Sequence, residues 1–177
     1  MRSRTAWTRA VLVIVIVIVA DQLTKRWIAD SITPGDTRHV LPGLQFVRTF
    51  NDGVAFGLAP GGHTIVIALI GLALLGVLLY FARHSTRRLV WLPTGLLIGG
   101  ALSNILDRIR DGSVTDFIKL PLGWPPFNLA DAAITVGVVI LALVVESGAR
   151  GDATGRANDP DAAPRRFWRR QGLRSSE

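Results

Sequence analysis

The chain has 177 residues, a formal net charge of +7 and a mean hydropathy of +0.38, with 49% hydrophobic but only 7% aromatic residues. Such a composition is typical of a membrane protein whose apolar residues are mostly aliphatic. Cysteine is absent, which excludes disulfides, thiolate metal sites and a cysteine nucleophile.

Four long apolar segments follow one another along the chain. They cover residues 7–28, 64–82, 89–106 and 129–145. Because about 20 apolar residues cross the roughly 30 Å of hydrocarbon in a bilayer, we predict four transmembrane helices. The first segment could instead be a cleaved secretory signal, since Arg2, Arg4 and Arg9 precede an apolar run. The apolar pattern resumes at Leu23, which favours a full span.

The distribution of arginine predicts which side of the membrane each loop faces. An even number of spans puts both termini on the same side as the loop 83–88. That loop contains three arginines and no acid, and residues 147–177 contain seven arginines against four acids. By the positive-inside rule, both termini are cytoplasmic, while residues 29–62 and 107–128 face outward. The positive charge is thereby assigned to orientation in a bilayer rather than to nucleic-acid binding.

The first outward loop has the pattern of a small sheet. Apolar and polar residues alternate over residues 44–50, before the turn-forming Asn51-Asp52-Gly53 and the short run 54–56. This predicts a strand, a turn and a second strand on the outer membrane face. Together with the four apolar segments, this loop forms one predicted membrane domain, residues 1–146. Residues 147–177 are predicted to be a disordered basic cytoplasmic tail that is dispensable for activity.

Acidic residues in three spans lie at a similar predicted depth. With a helical rise of about 1.5 Å per residue, Asp21 lies roughly 18 Å beyond Arg9. By the same count Asp107 lies about 28 Å beyond the arginines before its span, and Asp131 about 22 Å above Glu146. Charged groups inside a span are costly and mark functional sites. The outer boundary of the hydrocarbon is therefore the predicted location of a site.

Helical spacing groups the polar residues of two spans. Asp21 and Lys25 stand four residues apart and can form an ion pair, whose role is either structural or direct contact with a substrate. Asn104, Asp107 and Arg108 share one face of the third span, where structural support and ligand positioning are both open.

Asp116 and Asp131 have ordinary interpretations when each is taken alone. Asp116 lies in a short apolar stretch on the outward side, and composition alone favours an exposed loop aspartate. Asn128 and Asp131, three residues later, have the spacing of a capping box, which would put Asp131 in the first turn of a helix, where the dipole favours a carboxylate. Neither residue by itself indicates catalysis.

Other hydrolytic machineries lack parts in this sequence. It has no H-E-x-x-H motif, its three histidines are scattered, and it has no G-x-S-x-G nucleophile elbow. An enzyme would therefore rely on its aspartates. Two carboxylates that share a site hold one proton between them, and this division suits acid–base hydrolysis of a peptide bond.

Four motifs, in this order, are similar to those of the signal peptidase II family, also called lipoprotein signal peptidases, over about residues 5–146. They are Asp21-Gln22-Leu23-Thr24-Lys25, Asn51-Asp52-Gly53-Val54-Ala55-Phe56-Gly57, Gly99-Gly100-Ala101-Leu102-Ser103-Asn104-Ile105-Leu106-Asp107-Arg108 with Val114-Thr115-Asp116-Phe117, and Phe127-Asn128-Leu129-Ala130-Asp131. Ser103 departs from the family pattern, in which glycine is frequent.

The resemblance implies a role for each polar residue. It implies that Asp116 and Asp131 are the catalytic pair of an aspartic endopeptidase. It also implies that a further set shapes the substrate site, namely Asn51, Gly53, Asn104, Arg108 and Asn128. A third set would hold the architecture, namely Asp21, Lys25 and Asp107.

The resemblance also implies a fold, a substrate and a location. The fold would be an all-α membrane protein, with four transmembrane helices and a small outward-facing β cradle, in the bacterial cell membrane. The substrate would be a prolipoprotein cut just before its diacylglyceryl cysteine, and globomycin would inhibit the enzyme. The partners would be that signal peptide and membrane lipids, with no nucleic acid and no metal or organic cofactor. The alternatives are a non-enzymatic four-helix membrane protein and an intramembrane protease of another class.

Overall fold

The structure, a computed structural model, describes residues 2–52, 62–87 and 89–157. It is mostly helical. The helices are α1 (Arg2–Ser31), α2 (Gly62–His84), α3 (Trp91–Asp111) and α4 (Leu129–Ala157), and the strands are β1 (Thr37–Leu41), β2 (Leu44–Asn51) and β3 (Val114–Lys119). The chain divides into two compact units, Met1–Leu141 and Ala142–Glu177. The first unit contains the three strands of the described residues, and all the residues predicted for the site fall within its bounds.

Two helices in the described part of the chain are long and apolar enough to cross a membrane. They are Ser3–Ser31 and Leu129–Ser147, and Ala68–His84 is a shorter apolar helix. The predicted start of the third span at residue 89 is wrong, because Leu89 has a positive φ of 69°, a conformation that a right-handed helix does not contain. Helix α3 begins at Trp91 and ends before Gly112, whose φ of 77° provides the left-handed cap.

Small residues bring α3 close to α1 and α4. A Cβ atom on Gly95 would lie 2.6 Å from Cβ of Val13 in α1, and one on Gly100 would lie 2.5 Å from the carbonyl oxygen of Ala130 in α4. No side chain fits in either space. The close approach of helix backbones at glycine is the packing mode that membrane helices use, and it fixes the start of α4 against α3.

The strands form one antiparallel sheet in the order β1-β2-β3. Strand β2 confirms the alternation predicted for residues 44–50. Residues 53–56, which include the predicted second strand, lie outside the described residues. In the structure β2 pairs instead with β1 and β3, and its register with β3 sets Thr49 opposite Asp116 and Asn51 opposite Val114.

An apolar cluster fixes this sheet to the C-terminal end of α1. Ile28, Ile32 and Phe117 are buried together. The ring of Phe46 packs edge-on against Trp27 at 5.8 Å and against Phe117 at 6.2 Å between centroids. Burial of aromatic rings dominates the energetics of such clusters. Strand β3, which carries Asp116, is thereby held beside the end of α1.

Helix α4 continues past the predicted end of its span. The backbone stays helical to Ala157, within the segment for which the sequence predicts a disordered tail. The segment contains no proline before residue 160 and therefore keeps the amide hydrogens that helical bonds require. Residues 158–177 lie outside the described residues.

Candidate active site

A backbone bridge brings the two predicted catalytic segments together. Phe127 N–H donates to the carbonyl of Ile118 at 3.0 Å, and its own carbonyl accepts from the N–H groups of Ile118 at 2.8 Å and Phe117 at 3.0 Å. The chain after β3 therefore folds back upon the strand before α4 begins. As a result Asn128, the next residue, lies beside Asp116.

Asp116 is a buried strand residue with two hydrogen-bond donors. Its side chain is 3% exposed. Oδ1 accepts from Nδ2 of Asn128 at 2.7 Å, and Oδ2 accepts from Nδ2 of Asn51 at 3.0 Å. The expectation of an exposed loop aspartate is wrong, because pairing of β3 with β2 turns this side chain toward the interior.

Asp131 lies in the first turn of α4 and forms the predicted capping box. Its N–H donates to Oδ1 of Asn128 at 2.9 Å, and its Oδ2 accepts from the N–H of Asn128 at 3.3 Å. This reciprocal pair satisfies N–H groups that a helix start leaves without partners. The other oxygen, Oδ1, accepts from Nδ2 of Asn104 at 2.8 Å.

Two asparagines connect the carboxylates. Asn128 contacts both Asp116 and Asp131, and its Nδ2 also donates to Oδ1 of Asn104 at 3.2 Å. Asn104 in turn donates to Asp131. Since each amide carries both donors and an acceptor, its orientation is fixed by the acid on one side and the neighbouring amide on the other. The aspartates are thereby held in one hydrogen-bonded cluster.

An ion cluster supports this arrangement from α1. The ammonium of Lys25 lies 2.6 Å from Oδ2 of Asp21 and 2.7 Å from Oδ2 of Asp107, and it donates to Oδ1 of Asn104 at 3.0 Å. All four residues are buried. The pair predicted from the spacing of Asp21 and Lys25 is confirmed. Lys25 therefore joins the ion cluster to the amide that orients Asp131.

Gln22 and Ser103 complete the ion cluster, and neither residue was predicted from the sequence to belong to it. Nε2 of Gln22 donates to Oδ1 of Asp107 at 2.6 Å and to Oγ of Ser103 at 3.1 Å. Ser103 donates to Oδ2 of Asp21 at 2.7 Å. Their positions in the sequence could have indicated them, because Gln22 directly follows Asp21 and Ser103 directly precedes Asn104. Oδ1 of Asp21 accepts the N–H of Ala130 at 3.0 Å, which ties α4 to α1.

Two residues predicted for the substrate site, Arg108 and Gly53, have no described hydrogen bond to the aspartates. Nη1 of Arg108 donates to the backbone carbonyl of Asn104 at 3.2 Å. Its Nε is buried and has no hydrogen-bond partner among the described residues. Gly53 lies outside them, so its predicted role in shaping the substrate site stays a prediction.

Burial changes the protonation of Asp116. Loss of water around the carboxyl group is the largest influence and raises its pKa from 3.8 to about 6. The negative charge of Asp131 also raises the pKa, whereas hydrogen bonds from Asn51 and Asn128 and the charge of Lys25 oppose the rise. The pair can therefore share one proton under mildly acidic conditions, up to about pH 6.

An open cavity of about 510 Å³ borders Asp131. Its polar lining includes Asn51 and Thr135. Most of its surface is apolar and comes from the segment before α4 and from the first turns of that helix, including Leu120, Trp124 and Val136. An extended, largely apolar chain could enter here and reach the carboxyl group of Asp131.

The chain is similar to known proteins in both sequence and fold. A family model described as signal peptidase (SPase) II matches residues 13–146. A lipoprotein signal peptidase of Syntrophomonas wolfei is 38% identical over 131 residues, which are 73% of this chain and 87% of that protein. One of Burkholderia thailandensis is 39% identical over 133 residues, 71% of this chain and 80% of that protein. A bacterial membrane enzyme solved at 2.3 Å superposes with a TM-score of 0.71 and 30% identity, covering 78% of this chain and 87% of that chain.

Proposed function

This chain belongs to the signal peptidase II family and is a protease that removes signal peptides from prolipoproteins, and we propose that Asp116 and Asp131 are its catalytic pair. The observation that carries this assignment is the shared contact of both carboxyl groups with Asn128. Membership of a peptidase family excludes the non-enzymatic alternative.

In the proposed reaction Asp116 holds the proton and Asp131 is ionised. The carboxylate of Asp131 takes a proton from a water molecule, and the oxygen of this water attacks the carbonyl carbon of the scissile bond. The proton of Asp116 moves to the carbonyl oxygen, giving a tetrahedral diol. General acid–base transfers of this kind contribute about 10²- to 10⁴-fold each.

Collapse of the diol completes the cycle. The carbon–nitrogen bond breaks as Asp131 returns its proton to the departing amine. A hydroxyl proton of the diol returns to Asp116 while the carbonyl re-forms. The two acids end the cycle in the states in which they began, so no cofactor enters the proton balance.

We propose positioning roles for the surrounding polar groups. Asn51, Gly53, Asn104, Arg108 and Asn128 contact or shape the substrate site. Asp21, Lys25 and Asp107 hold the architecture. The guanidinium of Arg108 supports a substrate contact, because its Nε has no partner among the described residues and arginine commonly binds carbonyl or phosphate oxygens.

We infer that the substrate carries a diacylglyceryl group on the cysteine after the cleavage site. The apolar cavity beside Asp131 supports this inference, because it offers space for an apolar segment next to the acid that activates water.

We also infer how the chain lies in the membrane. Helices α1–α4 form four membrane spans, both termini lie in the cytoplasm, and the aspartates lie near the outer face of the bacterial cell membrane. The apolar helices and the arginine-rich loop 83–88 support this orientation.

Substitution of either aspartate tests the proposal. Asp116→Asn and Asp131→Asn should each lower the cleavage rate of a lipid-modified precursor by about 10³-fold, because an amide can neither take nor supply the required proton. Asp36→Asn, in the loop between α1 and β1, is the matched control and should cleave normally. Gel separation of precursor and product measures the rate, and thermal unfolding in detergent checks folding.

Two results would contradict the proposal. Normal cleavage by either active-site variant would remove the catalytic assignment. Equal cleavage of precursors with and without the diacylglyceryl group would remove the substrate assignment but leave the catalytic pair intact.

A further inference from the structure

A second cavity lies at the opposite end of the helices from the aspartates. Its volume is about 580 Å³, and it is bounded by the N-terminal part of α1 and the segment that joins α2 to α3. Arg9, on its border, lies sixteen residues before Lys25 in α1, or about 24 Å along the helix axis. This cavity is therefore separate from the candidate active site.

The lining of this cavity combines positive charge with hydroxyl groups. Arg9 and Arg87 supply the charge, and Thr5, Ser85 and Thr86 supply the hydroxyls. Among the described lining residues there is no Asp or Glu. Guanidinium groups bind phosphate through several N–H donors, and hydroxyls donate to its remaining oxygens. The chemistry favours a phosphate group as the ligand.

Trp91 gives the cavity a fixed wall. The guanidinium carbon of Arg9 lies 5.6 Å from the centroid of the Trp91 ring, within the range of a cation–π contact. This contact restricts the arginine to the border of the cavity. Tryptophan is also enriched where a membrane helix passes the lipid headgroups, which supports a position of the cavity at the depth of the lipid phosphates.

We propose that this cavity binds the phosphodiester headgroup of an anionic phospholipid, such as phosphatidylglycerol, in the cytoplasmic leaflet. A basic cavity between membrane helices on this side is the expected form of such a site. The headgroup would connect α1 to the α2–α3 loop. The inference goes beyond the peptidase activity and uses the orientation inferred above.

Lipid titration of the full-length chain in detergent tests the site. Phosphatidylglycerol should bind and raise the midpoint of thermal unfolding, whereas phosphatidylcholine, which has no net charge, should bind at least tenfold more weakly. Arg9→Gln should weaken phosphatidylglycerol binding about fivefold, and Arg9→Gln combined with Arg87→Gln roughly 30-fold. Native mass spectrometry measures the lipid-bound fraction.

Arg83→Gln is the matched control. It removes the same charge near the same end of the helices, but Arg83 does not line the cavity. The affinity of this variant for phosphatidylglycerol should therefore stay within about twofold of that of the unaltered chain. Cleavage in phosphatidylcholine should be normal in all these variants, which separates this site from the active site. Equal weakening by Arg83→Gln would overturn the proposal in favour of general surface attraction. Displacement of the lipid by millimolar inorganic phosphate would overturn the lipid assignment in favour of a soluble anion.

Discussion

The two charged regions along α1 differ in how their charges are neutralised. Toward the C-terminal end, Lys25 is buried between Asp21 and Asp107, and each charged group has a partner from the protein itself. Near the N-terminal end, Arg9 is exposed and contacts the face of an aromatic ring. A buried charge without a partner costs several kcal/mol, whereas an exposed one is solvated. The first region is therefore built to hold a fixed geometry, and the second to meet a partner from outside.

The largest expected effect comes from removing the central cation of the buried cluster. Lys25→Met keeps the length of the side chain but leaves two buried acids without a counter-charge and removes one of the two donors to Oδ1 of Asn104. We expect a loss of about 3–5 kcal/mol in the free energy of unfolding. Chemical denaturation in detergent micelles measures the difference.

Lys119→Met is the control, because it removes the only other lysine from an exposed position at the end of β3. This variant should lose less than about 1 kcal/mol. Equal losses in the two variants would show that the buried cluster does not depend on its internal ion pairs.

An intermediate effect is expected from pH acting on Asp116. Its pKa in the folded protein is raised to about 6 by burial, above the value of an unfolded chain, so the folded state binds this proton more tightly. The stabilisation is complete below about pH 4 and is lost as the pH rises through 6, to a total of about 3 kcal/mol. Asp116→Asn should lack this step, whereas Asp36→Asn should retain it.

The pH dependence of activity should also report the protonation of Asp116. Loss of the Asp116 proton removes the general acid, so kcat/KM of the unaltered enzyme should fall as the pH rises above about 6. A pH profile measured with lipid-modified precursor checks this. A rate that stays constant from pH 5 to 8 would contradict assignment of the proton to Asp116.

The smallest effect on stability is expected at the exposed end of α1. Arg9→Gln removes one cation–π contact, which contributes about 0.5–1 kcal/mol at an exposed site. Unfolding measured in phosphatidylcholine should therefore change by no more than about 1 kcal/mol. A loss of free energy of unfolding as large as that of Lys25→Met would show that Arg9, like Lys25, is part of a region that stabilises the fold.

Local sequence patterns determined the elements and several contacts. The apolar runs predicted the helices, because a membrane span must bury all its backbone polar groups internally. Alternation over residues 44–50 predicted β2. Spacing of three or four residues predicted the Asp21–Lys25 pair and the Asn128–Asp131 capping box, since such residues are neighbours on a helix or at its start.

Tertiary structure alone decided how Asp116 meets Asp131. Three prolines, Pro121, Pro125 and Pro126, separate the two acids, and no local periodicity fixes the path of such a segment. The meeting depends on the bridge between Ile118 and Phe127 and on the pairing of β3 with β2, which lies far away in the chain. Contacts between distant residues form only when the helices pack, so a local pattern does not contain them. The same reason applies to Ser103, whose partners Asp21 and Gln22 lie on another helix.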